Sequence, residues 1–153
     1  MCANFGPTAY QLEIATKLGI DITNDSVNIA GARIFDVIQM AINPGSMPCK
    51  ASQKQIIFGD SIGLDLRKDS SRVASARIKD ELQSINELAL KYLELKPGDK
   101  VRKTRTVNTH GHKELVVTTH TVSSVGKNLR VYFRGGNGQG AWASQLEKVI
   151  GDQ

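Results

Sequence analysis

The chain has 153 residues, of which 40% are hydrophobic and 23% are charged, so it suits one compact domain or two small ones rather than a disordered segment. Its apolar runs are short and broken by charges, and residues 1–10 carry neither a basic start nor an apolar stretch, so we expect no membrane span and no secretory signal. Two cysteines, Cys2 and Cys49, are too few for a disulfide framework, which predicts a cytoplasmic protein in a reducing compartment.

The net charge of +5 is unevenly distributed. Residues 1–50 hold three basic and four acidic groups, residues 51–95 hold seven of each, and residues 96–153 hold ten basic and four acidic groups, which gives −1, 0 and +6. The whole excess therefore lies in the last third of the chain. A basic surface of this density attracts polyanions through its field and through counterion release, although such charge also simply keeps proteins in solution.

The first part of the chain is internally duplicated. Residues 8–39 align with residues 52–83 at an offset of 44 without a gap, and eleven of the 32 aligned positions are identical. The identical pairs are Gln11/Gln55, Gly19/Gly63, Asp21/Asp65, Asp25/Asp69, Ser26/Ser70, Ala30/Ala74, Ala32/Ala76, Arg33/Arg77, Ile34/Ile78, Asp36/Asp80 and Gln39/Gln83.

Each copy predicts a helical hairpin. Apolar spacing indicates a first helix over about Thr8–Leu18, which ends at Gly19, where a left-handed residue commonly closes a helix. Asp25 or Ser26 is a suitable N-cap for the second helix, and the same features recur 44 residues later. We therefore predict a duplicated helical domain over residues 1–95, with repeats at 8–43 and 52–87 and a Pro/Gly-rich linker at 43–48.

A repeated pair of charges, Arg33 and Asp36 in the first copy, has two interpretations. They form either a surface for a partner that is presented twice, or a local ion pair, because residues three apart on a helix are neighbours. We favour the local pair.

From Lys96 onward the apolar period changes from helical to two, which predicts β-strands separated by Asn/Gly-rich turns. The connection after the first strand, residues 106–114, is long and polar. We also expect a short 3₁₀ turn at Ser144–Leu146. The predicted strands are Asp99–Val107, Glu114–Ser124, Asn128–Arg134, Ala141–Ala143 and Glu147–Ile150.

Three segments resemble the SH3-like barrels of the KOW or Tudor type: KPGDKV at 96–101, TVSSVGKNLRVYF at 121–133 and AWASQLEKV at 141–149. The last segment has Trp142, a short turn through Leu146 and a closing strand, which is how such barrels finish. The resemblance covers the last third of the chain and implies an α+β protein with a small basic β-barrel over residues 96–153. Such barrels bind RNA, DNA, peptides or ribosomes, so the fold selects no function. The helical half carries no comparable resemblance.

One predicted strand carries a candidate binding face. Alternation puts Leu129, Val131 and Phe133 on the buried side and a basic–aromatic–basic stripe on the other, a pattern that suits phosphate neutralisation combined with base stacking. An ordinary solvated barrel face is the alternative. The candidate nucleic-acid-binding residues are Arg102, Lys103, Arg105, Lys127, Arg130, Tyr132, Arg134 and Trp142, of which Tyr132 and Trp142 would stack.

Other chemistry finds little support in the sequence. His110, His112 and His120 offer three metal ligands without a nearby cysteine, so we expect no metal site. The glycine-rich segment 135–140 lacks the Lys-Ser/Thr end of a P-loop and favours a tight hairpin. Because nucleophile, metalloprotease and dinucleotide signatures are missing, we expect no enzyme and no cofactor.

Together these patterns favour a non-enzymatic, nucleic-acid-associated binding module of low sequence specificity, which contacts DNA or RNA through the basic barrel. The alternative is a protein-interaction adaptor, or a small inhibitor encoded by a phage or mobile element, that docks through the helical repeats and the barrel. The near-neutral helical half favours protein contact there. Salt dependence separates the two, since nucleic-acid binding weakens steeply as salt rises.

Overall fold

The structure is a computed structural model that describes residues 5–151. The predictions about Cys2 and the other residues before Phe5 lie outside the described residues. Within that range four helices precede five strands, so the chain is α+β, and no helix there is long and apolar enough to cross a bilayer. The elements are α1 (Ala9–Leu18), α2 (Val27–Ile42), α3 (Gln53–Ser61), α4 (Ser71–Leu93), β1 (Lys100–Thr109), β2 (His112–Val125), β3 (Arg130–Phe133), β4 (Gly140–Trp142) and β5 (Leu146–Lys148).

The chain divides into two compact units. The first, here called the helical unit, ends at Leu82, and the second, the sheet unit, begins at Gln83. The division lies inside α4, so the last turns of that helix belong to the sheet unit. The sequence places the division after residue 95, and that boundary stays a prediction.

The two copies of the repeat start their first helices with the same capping box. Before α1 the hydroxyl of Thr8 accepts a hydrogen bond from the N–H of Gln11 at 3.1 Å, and the Gln11 side chain accepts one from the N–H of Thr8 at 3.0 Å. Ser52 and Gln55 repeat this arrangement before α3, at 3.2 and 2.8 Å. A capping box satisfies backbone N–H groups that a helix start leaves free, which explains why the glutamine recurs in both copies.

The second helix of each copy is capped by serine rather than by the aspartate before it. The hydroxyl of Ser26 accepts a hydrogen bond from the N–H of Ile29 at 3.1 Å, and Ser70 accepts one from Val73 at the same distance. Of the two predicted caps, the serine is therefore the one used.

The predicted local pair between Arg33 and Asp36 is wrong, and so is its counterpart in the second copy. Arg33 instead pairs with Asp25 at 2.8 Å, and Arg77 pairs with Asp69. Asp36 is only 7% exposed. A carboxylate withdrawn from water needs several donors, and one exposed arginine on its own helix does not provide them.

The buried aspartates instead connect the two copies. Each one accepts hydrogen bonds from the N-cap serine of the other copy and from the residue two positions after that serine. The donors are Ser26 and Asn28 for Asp80, and Ser70 and Arg72 for Asp36, with the Asn28 and Arg72 contacts at 2.8 Å. Because residues 70 and 72 are the counterparts of 26 and 28, the helical unit contains two equivalent networks.

The sheet unit contains one antiparallel sheet with the strand order β4-β3-β2-β1-β5. The long strand β2 pairs first with β1 and then with β3, and its register shifts between Val122 and Ser124. A 3₁₀ turn at Ala143–Gln145 joins the two edge strands, which have three residues each. Because β4 and β5 do not pair with each other, the sheet is open, whereas the sequence predicts a closed barrel.

Two local features of the sheet differ from the prediction. The connection over residues 106–114 is strand on both sides of a tight turn at His110 and Gly111, whose φ angles are 53° and 84°. Two positive φ angles are what a two-residue hairpin turn requires. Leu129 lies outside β3 in a turn, with a φ of 67°, and is only half-buried rather than part of the core.

The last turns of α4 cover the core of the sheet. The buried core residues are Val101, Val122, Val131, Phe133, Ala141, Ala143 and Leu146, and the partly buried residues packed against them are Ala89, Leu90, Leu93 and Leu95. Asn86 of α4 is 5% exposed, and its side-chain oxygen accepts a hydrogen bond from the N–H of Ser144 at 3.1 Å. This helix end therefore belongs to the folding unit of the sheet.

We expect a fragment of residues 83–153 to fold and a fragment of residues 96–153 to be largely unfolded. Full burial of a leucine is worth about 1.5–3 kcal/mol, so losing the three half-buried leucines Leu90, Leu93 and Leu95 removes about 2–4.5 kcal/mol. Small domains have only about 5–15 kcal/mol to lose. Amide dispersion in heteronuclear spectra and urea unfolding measure how stable each fragment is. Equal stability of the two fragments would contradict this prediction.

Candidate nucleic-acid interface

A groove of about 370 Å³ opens on the sheet unit, and we call it the basic groove. Its cationic lining comes from Lys103 and Arg105 of β1 and Arg130 of β3. The other lining residues are Thr118, His120, Phe133, Gln139 and Gly140. The groove thus combines three cations, two rings and several hydrogen-bonding groups.

The pairing of β1 with β2 brings the groove residues together. Val101 lies opposite His120, and Lys103 lies opposite Thr118. Side chains two positions apart on a strand share a face, so these four residues and Arg105 lie on the same side of the ribbon. Val101, on this face, is buried in the core. The basic groove therefore begins where this face of the sheet leaves the core, and its cations follow the apolar core residues along the strand.

Two rings in the basic groove lie flat against each other. The ring centroids of His120 and Phe133 are 4.2 Å apart and their planes differ by 5°. Nε2 of His120 also lies 3.0 Å from the hydroxyl of Thr118. Phe133 is 8% exposed and His120 is half-buried, so the histidine covers the phenylalanine and is held in orientation by both contacts.

Arg130 lies beside the aromatic ring of its cross-strand partner. Its guanidinium carbon is 5.8 Å from the ring centroid of Trp142, and Nη2 donates to the carbonyl of Gly140 at 3.4 Å. Its Nε is buried and has no hydrogen-bond partner among residues 5–151. A buried N–H without a partner costs about 1–3 kcal/mol, so the fold holds this guanidinium in place at some cost in stability.

The arginines of the two units differ in their partners. Every arginine of the helical unit forms an ion pair with an aspartate, whereas within residues 5–151 no arginine of the sheet unit forms one. The paired arginines are Arg33, Arg67, Arg72 and Arg77, and the unpaired ones are Arg102, Arg105, Arg130 and Arg134. The positive charge of these four arginines is therefore not neutralised by carboxylates of the described chain.

Asp99, at the start of β1, is engaged away from the lining of the basic groove. Its carboxylate accepts a hydrogen bond from the N–H of Lys96 at 2.8 Å and lies 3.2 Å from Nζ of Lys148. The N–H of Lys96 first, and Lys148 second, hold the pKa of Asp99 below its ordinary value. This acid is thus ionised at neutral pH and already has two partners.

The structure separates the predicted site residues into two groups. Lys103, Arg105 and Arg130 line the basic groove, and Trp142 contacts it through Arg130. The remaining four residues are not among its lining. Arg102 lies on the other face of β1, opposite Thr119 and Glu147. Lys127 and Arg134 are exposed, one before β3 and one after it. The hydroxyl of Tyr132 accepts a hydrogen bond from Asn128 at 3.2 Å.

The sequence pattern does not indicate that His120 or Phe133 lies in the site. It offers His120 only as a possible metal ligand and predicts Phe133 to be a core residue. Within the described residues, no group of three histidine, cysteine or acidic side chains is arranged to hold a metal ion. The alternation of Thr118, His120 and Val122 is the signal that places His120 on the inner face, beside the cations of β1.

Comparison with known proteins gives no relative for this chain. No protein-family model matches it, and neither a curated protein nor a solved structure is significantly similar to it. The functional conclusion therefore depends on the geometry and charge of the chain's own residues.

Proposed function

We propose that this protein is a non-enzymatic nucleic-acid-binding module of low sequence specificity that acts through the basic groove. The observation that carries the proposal is the contrast between the paired arginines of the helical unit and the unpaired arginines of the sheet unit. Cations without carboxylate partners, next to aromatic rings, suit the binding of a phosphate backbone and its bases.

We also infer that the sheet unit has an SH3-like fold whose sheet is open, and that the helical unit is a tandem pair of helical hairpins. The strand order and the 3₁₀ turn before β5 support the first inference. The equivalent caps and reciprocal aspartate networks support the second. The thiol of Cys49, which is exposed and forms no disulfide within residues 5–151, supports a location in the reducing cytoplasm.

Salt dependence of binding by the full chain tests this function. Each phosphate contact with a single strand contributes about 0.7 to the slope of log affinity against log salt, so three groove cations predict a slope of about −2. Fluorescence anisotropy with labelled RNA and DNA strands of mixed sequence, between about 50 and 200 mM salt, measures it. Similar affinity for unrelated sequences is expected. Absence of binding at the lowest salt contradicts the proposal.

A protein partner for the helical unit is the second candidate, and one observation favours it. Five large apolar side chains there are more than half exposed, and apolar side chains that are exposed together as one patch are typical of protein-binding sites. They are Phe5 at 75%, Tyr10 at 71%, Ile42 at 65%, Met47 at 81% and Ile57 at 61%. Co-purification from lysate with and without nuclease separates the candidates, because capture through nucleic acid is lost after digestion.

A further inference from the structure

We propose that the basic groove takes one unpaired nucleotide of a single strand, with its base on the His120–Phe133 stack and its phosphate beside the groove cations Lys103, Arg105 and Arg130. This inference rests on the proposed function, which it narrows from nucleic acid in general to unpaired segments. It also assigns base stacking to His120 and Phe133, whereas the sequence predicts that Tyr132 and Trp142 would stack.

The size of the basic groove favours an unpaired nucleotide over a duplex. Its volume of about 370 Å³ is at the lower end of the roughly 300–1,000 Å³ typical of small-ligand sites. The bases of a duplex are stacked on their neighbours and present only their edges, whereas bases in loops and single strands can be splayed out onto aromatic side chains. A base therefore reaches the rings inside this groove only when it is unpaired.

The rings are arranged as a prepared stacking surface. Phe133 supports His120 at a centroid distance of 4.2 Å, and Thr118 holds the imidazole from the side. A ring that is already oriented loses little conformational entropy when a base stacks on it. Because every base has an aromatic face, this contact carries little sequence preference, in agreement with a binder of low specificity.

The cations are arranged to follow an extended backbone. Arg130 lines the groove without a carboxylate partner among residues 5–151, and a phosphate oxygen is a suitable partner for a guanidinium. Lys103 and Arg105 lie two positions apart on one face of β1, so their Cα atoms are separated by about 6.7 Å. That separation resembles the distance between successive phosphates of an extended strand.

Three probes applied to the full chain test the inference. They are a single strand of about 12 nucleotides, the duplex of the same sequence, and an abasic strand that has the same phosphates without bases. We expect the duplex to bind at least about tenfold more weakly and the abasic strand about 5- to 150-fold more weakly than the single strand. Duplex binding as tight as single-strand binding overturns this inference but leaves the proposed function standing. Absence of binding to all three probes overturns the proposed function itself.

Substitutions then separate stacking from charge. His120→Ala should bring the ratio of intact to abasic affinity close to one, and His120→Phe should preserve that ratio. Arg130→Lys keeps the charge but removes the planar guanidinium, whose several donors suit a phosphate, so we expect it to weaken binding of both strands about tenfold. Arg102→Lys, on the other face of β1, is the matched control and should change nothing. A folded His120→Ala protein that keeps its preference for intact strands overturns the inference. If that variant is unfolded, unchanged binding by Arg130→Lys overturns it equally.

Discussion

Replacing Asp80 by alanine should lower the free energy of unfolding of the helical unit by about 2–4 kcal/mol. Asp80 is 7% exposed and accepts hydrogen bonds from Ser26 and from Asn28. Its removal leaves the Asn28 amide without this acceptor, while the Ser26 hydroxyl still caps Ile29. Asp36→Ala should cost somewhat less, because Arg72, its charged donor, is 47% exposed and can be hydrated instead.

Urea unfolding followed by helical circular dichroism measures this loss. Glu13→Ala is the control, because the Glu13–Lys17 pair is exposed, at 61% and 72%, and such pairs are worth less than about 1 kcal/mol. A loss for Asp80→Ala no larger than that of the control shows that the network does not stabilise the unit.

A double-mutant cycle tests the reciprocity of the networks. Ser26→Ala and Asp80→Ala should couple by about 0.5–3 kcal/mol, because the two residues are hydrogen-bonded although they are 54 positions apart in sequence. Ser26→Ala and Asp36→Ala should be nearly additive, because Asp36 accepts its hydrogen bonds from the other copy's serine and from Arg72. Coupling of Ser26 to Asp36 rather than to Asp80 contradicts the arrangement.

The ends of the helices in the helical unit are predictable, because local residue types determine them. The glycine at position 19 has a φ of 71° and closes α1, and the serine at 26 caps α2, both as their residue types indicate. The partner of Asp36 was not predictable, because its donors come from the other copy. A pattern within one helix favours neighbours three or four positions away, and it contains no information on a residue such as Ser70, 34 positions distant.

The candidate site likewise has a part that the sequence predicts, its cations, and a part that it does not predict, its ring stack. The location of the charge in the last third, and the alternation within β1 and β3, placed Lys103, Arg105 and Arg130 among the candidates. The His120–Phe133 stack depends on which residues of β1, β2 and β3 lie opposite one another. The register of β2 against β3 includes a shift between Val122 and Ser124, and the alternating pattern of the sequence does not indicate it.

The central claim is that the basic groove, rather than the net charge of the chain, binds nucleic acid. Two triple substitutions to alanine separate these causes, since each removes three positive charges. One removes the groove cations Lys103, Arg105 and Arg130, and the other removes Arg102, Lys127 and Arg134, which do not line the groove.

The direct test is to compare the single-strand affinity of these two variants with that of the unaltered chain, each across a salt series, with unfolding curves to show that both variants are folded. The groove variant should bind at least about 100-fold more weakly, and its log–log salt slope should decrease in magnitude by about 2. The other variant should keep most of the slope and lose less than about fivefold in affinity, through the long-range field alone. Equal weakening by the two folded variants would show that charge acts without regard to position, and would contradict the claim.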